Sequence, residues 1–266
     1  MAQTRIAKTF EACEKEGRAA LVAYLTAGDP TPDRTVALAL ALARGGAGVL
    51  ELGVPFSDPI ADGPVIQRAS ERALKAGTTL KGVLEIARRI RAQSEIAMVL
   101  FSYMNPLVRY GFAALARDAA AAGIDGVLMT DLSVEEAEKP VAELRQAGLD
   151  TIFLAAPTST QERLKLVSSY SSGFVYVVSR TGITGERDQV AAGVSSLIDR
   201  LRAYTSLPLA VGFGVSRPEH AAEIASYAEG VVVGSAIVRL IEEHAASPDL
   251  ELRLEELARA LATAAR

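Results

Sequence analysis

The feature that most constrains this chain is an alternation. Eight short apolar runs recur along it: Ala20–Leu25, Gly48–Leu52, Ala97–Phe101, Gly126–Thr130, Thr151–Leu154, Phe174–Val178, Leu209–Val211 and Gly230–Val233. Runs this short and this continuously apolar read as parallel strands covered on their outer side. Between them lie amphipathic stretches that read as helices: Asp33–Arg44, Leu80–Gln93, Phe112–Ala122, Val134–Ala147, Gln161–Tyr170, Val190–Ala203 and Pro218–Ala228. Thr31-Pro32-Asp33 and Thr158-Ser159-Thr160 supply helix starts, and Gly123 and Gly148 supply stops. Three further helices are predicted: Arg5–Lys15 before the first strand, Pro64–Ala76 after the second, and Leu250–Ala264 at the end. Strand and helix in turn, about eight times, predict a parallel α/β fold. A doubly wound open sheet shares that alternation. The length of 266 residues and the strand count favour a closed (β/α)8 TIM barrel, with no linker and one domain over residues 1–266.

Composition narrows the class. Half the residues are hydrophobic, yet Trp is absent and aromatics are few, so Ala, Val, Leu and Ile must fill the core. The net charge of −4 is mild, and no basic stripe interleaved with aromatics is present, which argues against nucleic-acid binding. Cys13 is the only cysteine, so no internal disulfide or Cys-rich metal site can form. No signal-like apolar stretch opens the chain and no run is long enough to span a membrane, so a cytoplasmic location is expected.

In a barrel the chemistry lies beyond the C-terminal strand ends. There the second strand carries Glu51 and runs into Gly53-Val54-Pro55-Phe56-Ser57-Asp58-Pro59-Ile60-Ala61-Asp62-Gly63-Pro64. Glu51 interrupts an otherwise apolar strand. A carboxylate buried in that way is costly unless partnered or functional, and function is the reading favoured. Asp62 sits where the loop returns over the mouth, whereas Asp58 reads as a solvated turn residue. Gly212-Phe213-Gly214 after strand seven and Gly234-Ser235 opening a helix after strand eight match the phosphate site common to barrels. Glycines let the backbone approach an anion, and the free amides of a helix start donate to it.

Both histidines, His220 and His244, fall in helices, which argues against a His-ligated metal. The six lysines, Lys8, Lys15, Lys75, Lys81, Lys139 and Lys165, also fall in helices or at their edges, so no strand position offers a Schiff-base lysine. Proton transfer is therefore expected from carboxylates, with Tyr24, Tyr103 and Tyr176 read as packing residues nearby. The polar segment Ser179–Gln189, with Gly182 and Gly185, reads as a lid. No nucleotide-binding glycine pattern is present.

On these residues the sequence resembles the tryptophan synthase alpha chain family. The stretch Glu51–Pro64 is similar to that family's signature, and four more segments match in order: Tyr24–Pro30, Ser179–Gly185, Gly212–Ser216 and Val233–Ala236. The resemblance implies cleavage of indole-3-glycerol phosphate to indole and D-glyceraldehyde 3-phosphate, in L-tryptophan biosynthesis. It implies Glu51 as general acid and base, and Asp62 as partner of the indole N–H. Thr184 would bond Asp62 on lid closure. Gly185, Gly214, Gly234 and Ser235 would hold the phosphate. Phe213, Leu100 or Phe101, Tyr176, and Ile152 or Phe153 would line the indole slot, with Tyr103 near the substrate.

The same resemblance implies no cofactor in this chain and a beta-chain partner carrying pyridoxal phosphate, in an alpha2beta2 heterotetramer. The contact surface would include Pro55–Asp58, Asn105-Pro106 and the turn after Asp131. There the family usually has Pro, and this chain has Ser133, which loosens a turn that Pro would pre-set. Two rival readings are a stand-alone indole-3-glycerol phosphate lyase and a non-catalytic barrel that only activates a partner. The presence of both Glu51 and Asp62 argues against the second.

Overall fold

A computed structural model describes residues 3–178, 187–212 and 214–266, with the backbone alone over 187–192. The strands are β1 Ala20–Thr26, β2 Val49–Gly53, β3 Ala97–Ser102, β4 Gly126–Met129, β5 Asp150–Ile152, β6 Leu154–Ala155, β7 Val175–Val178, β8 Leu209–Gly212 and β9 Gly230–Val233. All pair in parallel, in the order β5-β4-β3-β2-β1-β9-β8-β7-β6. The two ends of that order are halves of one stretch of chain. β5 pairs with β4 through Ile152 and Leu128, and β6 pairs with β7 through Leu154 and Tyr176. At Phe153 between them, the carbonyl accepts from the Tyr176 amide at 3.1 Å. The predicted fifth strand is thus two, because the chain changes partners there, and that change closes the barrel.

The helices are α1 Arg5–Lys15, α2 Pro32–Arg44, α3 Pro64–Lys75, α4 Leu80–Arg91, α5 Met104–Tyr110, α6 Phe112–Ala121, α7 Glu138–Gln146, α8 Gln161–Tyr170, α9 Arg187–Arg202, α10 Pro218–Ala225, α11 Ser235–His244 and α12 Leu250–Ala264. Two differ from expectation in kind. The predicted helix from Val134 breaks into a 3-10 turn, Val134–Glu136, and α7. Pro140 has no amide to donate and belongs in a first turn, so the helix starts only at Glu138. The short α5 was not expected. Its Pro106 sits in the first turn, and Asp131 Oδ1 accepts from the Met104 amide at 2.7 Å. α9 starts at Arg187, inside the segment read as a lid.

Alternation along the strands sorts the core into two layers. Leu21, Ala23 and Leu25 face the surrounding helices. Ala20, Val22, Val49, Ala97, Val99, Leu128, Ile152 and Phe174 fill the barrel, with Ile6, Phe10 and Cys13 of α1 closing its N-terminal end. Phe10 meets Phe174 with ring centroids 5.5 Å apart. Burying each such aliphatic or aromatic side chain is worth about 1.5–3 kcal/mol. The plugged end leaves the C-terminal mouth as the open one. No helix of the described residues is long and apolar enough to cross a membrane.

Candidate active site

At that mouth one cavity is lined by Tyr24, Glu51, Asp62, Phe101, Tyr176 and Ser235, among others that include Ile66, Val215, Val232, Gly214 and Gly234. The register explains how the strands deliver them. Tyr24, Glu51 and Val99 are neighbours across β1, β2 and β3, and all point inward. Two glycines make room for the tyrosines. A Cβ on Gly53 would lie 2.2 Å from the Tyr24 hydroxyl, and one on Gly212 would lie 2.4 Å from the Tyr176 hydroxyl. Each tyrosine therefore leans over the next strand, where a side chain has been omitted.

Glu51 lies at the floor with 1% of its surface exposed, and its Oε1 has no hydrogen-bond partner among the described residues. Burial without a compensating cation pushes its carboxyl up to about 8, so it holds a proton at neutral pH. Asp62 is half-buried at the side of the cavity. Desolvation raises it to about 6, against the Tyr103 hydroxyl, which donates to Oδ2 at 3.0 Å and favours the charged form. The Ala61 amide donates to that same hydroxyl at 3.0 Å and fixes its direction. Gln67 Nε2 donates to the Asp62 carbonyl at 2.9 Å, tying the loop to the first turn of α3. Two carboxyl groups in one cavity thus sit in opposite protonation states near pH 7, the arrangement acid–base chemistry needs.

At the rim, Gly214 has φ +81°, a backbone region open to glycine and strained for other residues. Gly234 precedes the first residue of α11, Ser235, so the start of a helix, with its unpaired amides, borders the cavity. The sequence-predicted Glu51, Asp62, Tyr176, Gly214, Gly234 and Ser235 are therefore brought together. Tyr103 touches Asp62 and does not line the cavity itself. Of the paired alternatives, Phe101 faces the cavity and Leu100 faces the helices. Ile152 lies deeper in the barrel, and Phe153 packs outside it. Thr184, Gly185 and Phe213 lie outside the described residues, as does most of the segment read as a lid.

Tyr24, expected only to pack, also lines the cavity, and so do Ile66, Val215 and Val232, which carry no signal of it in the sequence. Tyr24 meets Phe101 edge-on with centroids 5.1 Å apart, which forms one wall of an aromatic slot. Only the parity of β1 relative to Glu51 could have signalled it.

The chain is similar to known proteins over nearly its whole length. The family model described as "Tryptophan synthase alpha chain" matches residues 10–266. The tryptophan synthase alpha chain of Solibacter usitatus (strain Ellin6076) is 64% identical over 258 residues, covering 97% of each chain. That of Halorhodospira halophila is 51% identical, over 97% of this chain and 95% of the relative. Among solved structures, tryptophan synthase subunit alpha from Legionella pneumophila str. Paris superposes with TM-score 0.91 at 38% identity, covering 99% of this chain and 98% of that one. A chain of M. tuberculosis tryptophan synthase in its aminoacrylate-bound form gives TM-score 0.89 at 39% identity, covering 99% and 100%.

Proposed function

The chain belongs to the tryptophan synthase alpha chain family and is an enzyme of the lyase class, and we propose that it splits indole-3-glycerol phosphate into indole and D-glyceraldehyde 3-phosphate. The observation that carries this reading is Glu51: buried, unpartnered at Oε1, and sharing a cavity with Asp62.

The chemistry follows from the two protonation states. The carbon–carbon bond to the glycerol side chain breaks readily only once indole C3 is tetrahedral. Neutral Glu51 gives its proton to C3, and the ring nitrogen becomes an iminium. Asp62, ionised and steadied by Tyr103, accepts a hydrogen bond from that N–H and offsets the developing positive charge. The bond electrons return to the ring, indole leaves, and the adjacent hydroxyl becomes the aldehyde. Its proton passes to the Glu51 carboxylate, which restores the starting state. Gly214, Gly234 and Ser235 hold the phosphate through backbone amides, and Gly185 is assigned the same role. Tyr176, Phe101, Phe213 and Tyr24 hold the indole ring, and Thr184 is assigned to Asp62. No step requires a cofactor of this chain.

A beta chain, which would hold the pyridoxal phosphate, is the proposed partner in an alpha2beta2 assembly and would take up the indole that this chain releases. The segments assigned to that contact are joined to one another. Phe56 meets Tyr103 with ring centroids 5.2 Å apart, Asp131 accepts from the first amide of α5 beside Asn105, and Ile60 and Val108 are 88% and 59% exposed. Exposed apolar side chains around a catalytic mouth suit a surface that hands on an apolar product.

Indole release from indole-3-glycerol phosphate, measured with and without a beta chain, tests the reading. Turnover that rises strongly with the partner, and falls by about 10²–10⁴ or more in Glu51→Gln, is the expected result. Unchanged turnover in Glu51→Gln would overturn the mechanism. A high rate that ignores the partner would make this a stand-alone lyase.

A further inference from the structure

Behind the cavity lies a chain of charges that the mechanism leaves unused. Asp29 follows β1, and its side chain is 1% exposed. Arg72 of α3 grips it with both arms of the guanidinium, Nε to Oδ1 at 2.8 Å and Nη2 to Oδ2 at 2.8 Å. The third nitrogen of Arg72, Nη1, donates to Glu242 Oε1 of α11 at 2.7 Å. One turn earlier on α3, Arg68 donates to both Glu242 oxygens at 2.7 Å. Two acids and two arginines thereby join three elements, with no arginine nitrogen of Arg72 idle.

What those elements carry gives the chain its meaning. α3 begins two residues after Asp62, and α11 begins at Ser235. The strand before Asp29 carries Tyr24, which packs with Ala69 of α3 and Val238 of α11. Val65 and Ile66 of α3 and Phe101 pack against the same cluster, so the seam between the two helices is apolar. Apolar burial is non-directional, whereas a planar guanidinium forked between two carboxylates fixes distance and angle together.

We infer that Asp29, Arg72 and Glu242 are positioning residues that hold the Asp62 loop and the Gly234–Ser235 helix start at one separation, so that both ends of a single substrate are gripped at once. This rests on the proposed function, in which Asp62 takes the indole end and Ser235 the phosphate end. A ligand spanning both sites feels the separation, and a fragment touching one site does not. Misplacing one end by about 1 Å costs on the order of 10²-fold in rate.

The test compares the whole substrate with its halves. In Arg72→Lys, a lysine keeps one charge but cannot fork between two carboxylates. Glu242→Ala, at a partly exposed site, removes both acceptor oxygens and so cuts the link to α11 alone. Folding of each is checked by circular dichroism and thermal melting, and Glu242→Ala decides if Arg72→Lys does not fold. For folded variants, kcat/KM for indole-3-glycerol phosphate should fall about ten-fold or more. Dissociation constants for glycerol 3-phosphate and for indole should each stay within about two-fold of the parent. Equal losses for substrate and fragments would overturn the inference, since the charges would then shape one subsite only. Unchanged kcat/KM would overturn it as well. If the parent protein itself fails to cleave the substrate, the proposed function falls first, a result distinct from either variant outcome.

Discussion

The Tyr103 hydroxyl donates to Asp62 Oδ2 at 3.0 Å while accepting from the Ala61 amide at 3.0 Å, so the loop that carries the acid also aims its partner. The bond favours the charged carboxyl against the desolvation that raises it to about 6. Tyr103→Phe removes the donor and keeps the ring against Phe56. The acidic limb of kcat/KM should then move upward, by roughly half a unit to one unit. Activity near pH 6.5 should fall several-fold, and activity near pH 8 should fall less. A limb that stays in place would show that the hydroxyl does not tune Asp62.

The parent profile has two limbs of opposite origin. Asp62 works ionised, so activity is lost as pH falls through about 6. Glu51 works protonated, so activity is lost as pH rises through about 8. A bell with its maximum near pH 7 is expected for kcat/KM with indole-3-glycerol phosphate. Asp62→Asn should remove the acidic limb and lower kcat by roughly 10²-fold or more. Rates that climb steadily to pH 9 would contradict a proton held on Glu51.

Much of this is legible in the amino-acid sequence alone. A lone Glu inside an apolar strand, and glycines placed after the last two strands, are chemical anomalies that need no geometry to notice. Other features depend on neighbours. Whether Leu100 or Phe101 faces the substrate turns on the parity of β3, which an all-buried strand conceals, since both faces are apolar. The partner exchange at Phe153 leaves no trace in periodicity, because each half is an ordinary strand. The link from Asp29 through Arg72 to Glu242 spans separations of 43 and 170 residues, beyond any local pattern.

The glycine at 53 makes a separate, local prediction. Its φ is unremarkable, yet an added Cβ would stand 2.2 Å from the Tyr24 hydroxyl and 2.6 Å from Cζ. Gly53→Ala should therefore push the Tyr24 ring into the cavity, costing about 1–3 kcal/mol in stability and raising KM. Pairing it with Tyr24→Leu, which removes the distal ring atoms, should recover most of the stability. A double variant whose losses simply add would show that the methyl group clashes elsewhere.

The proton on Glu51 must also appear in the stability of the fold. Its ordinary value of 4.5 applies to the unfolded chain, and burial pushes the folded value to about 8. Below pH 4.5 both states are protonated, and the folded state gains its full advantage from this group. Between the two values only the folded state binds the proton, so stability falls by about 1.4 kcal/mol per pH unit as pH rises. Above about 8 both states are ionised and the loss levels off. Glu51→Gln keeps the shape and cannot titrate, so every other ionisable group cancels in the difference between the two proteins. The variant should gain on its parent by several kcal/mol between pH 5 and 8, read as a Tm difference that widens with pH. A difference that stays flat over that range would mean that Glu51 is ionised in the folded protein, and with it would go the acid that protonates indole C3.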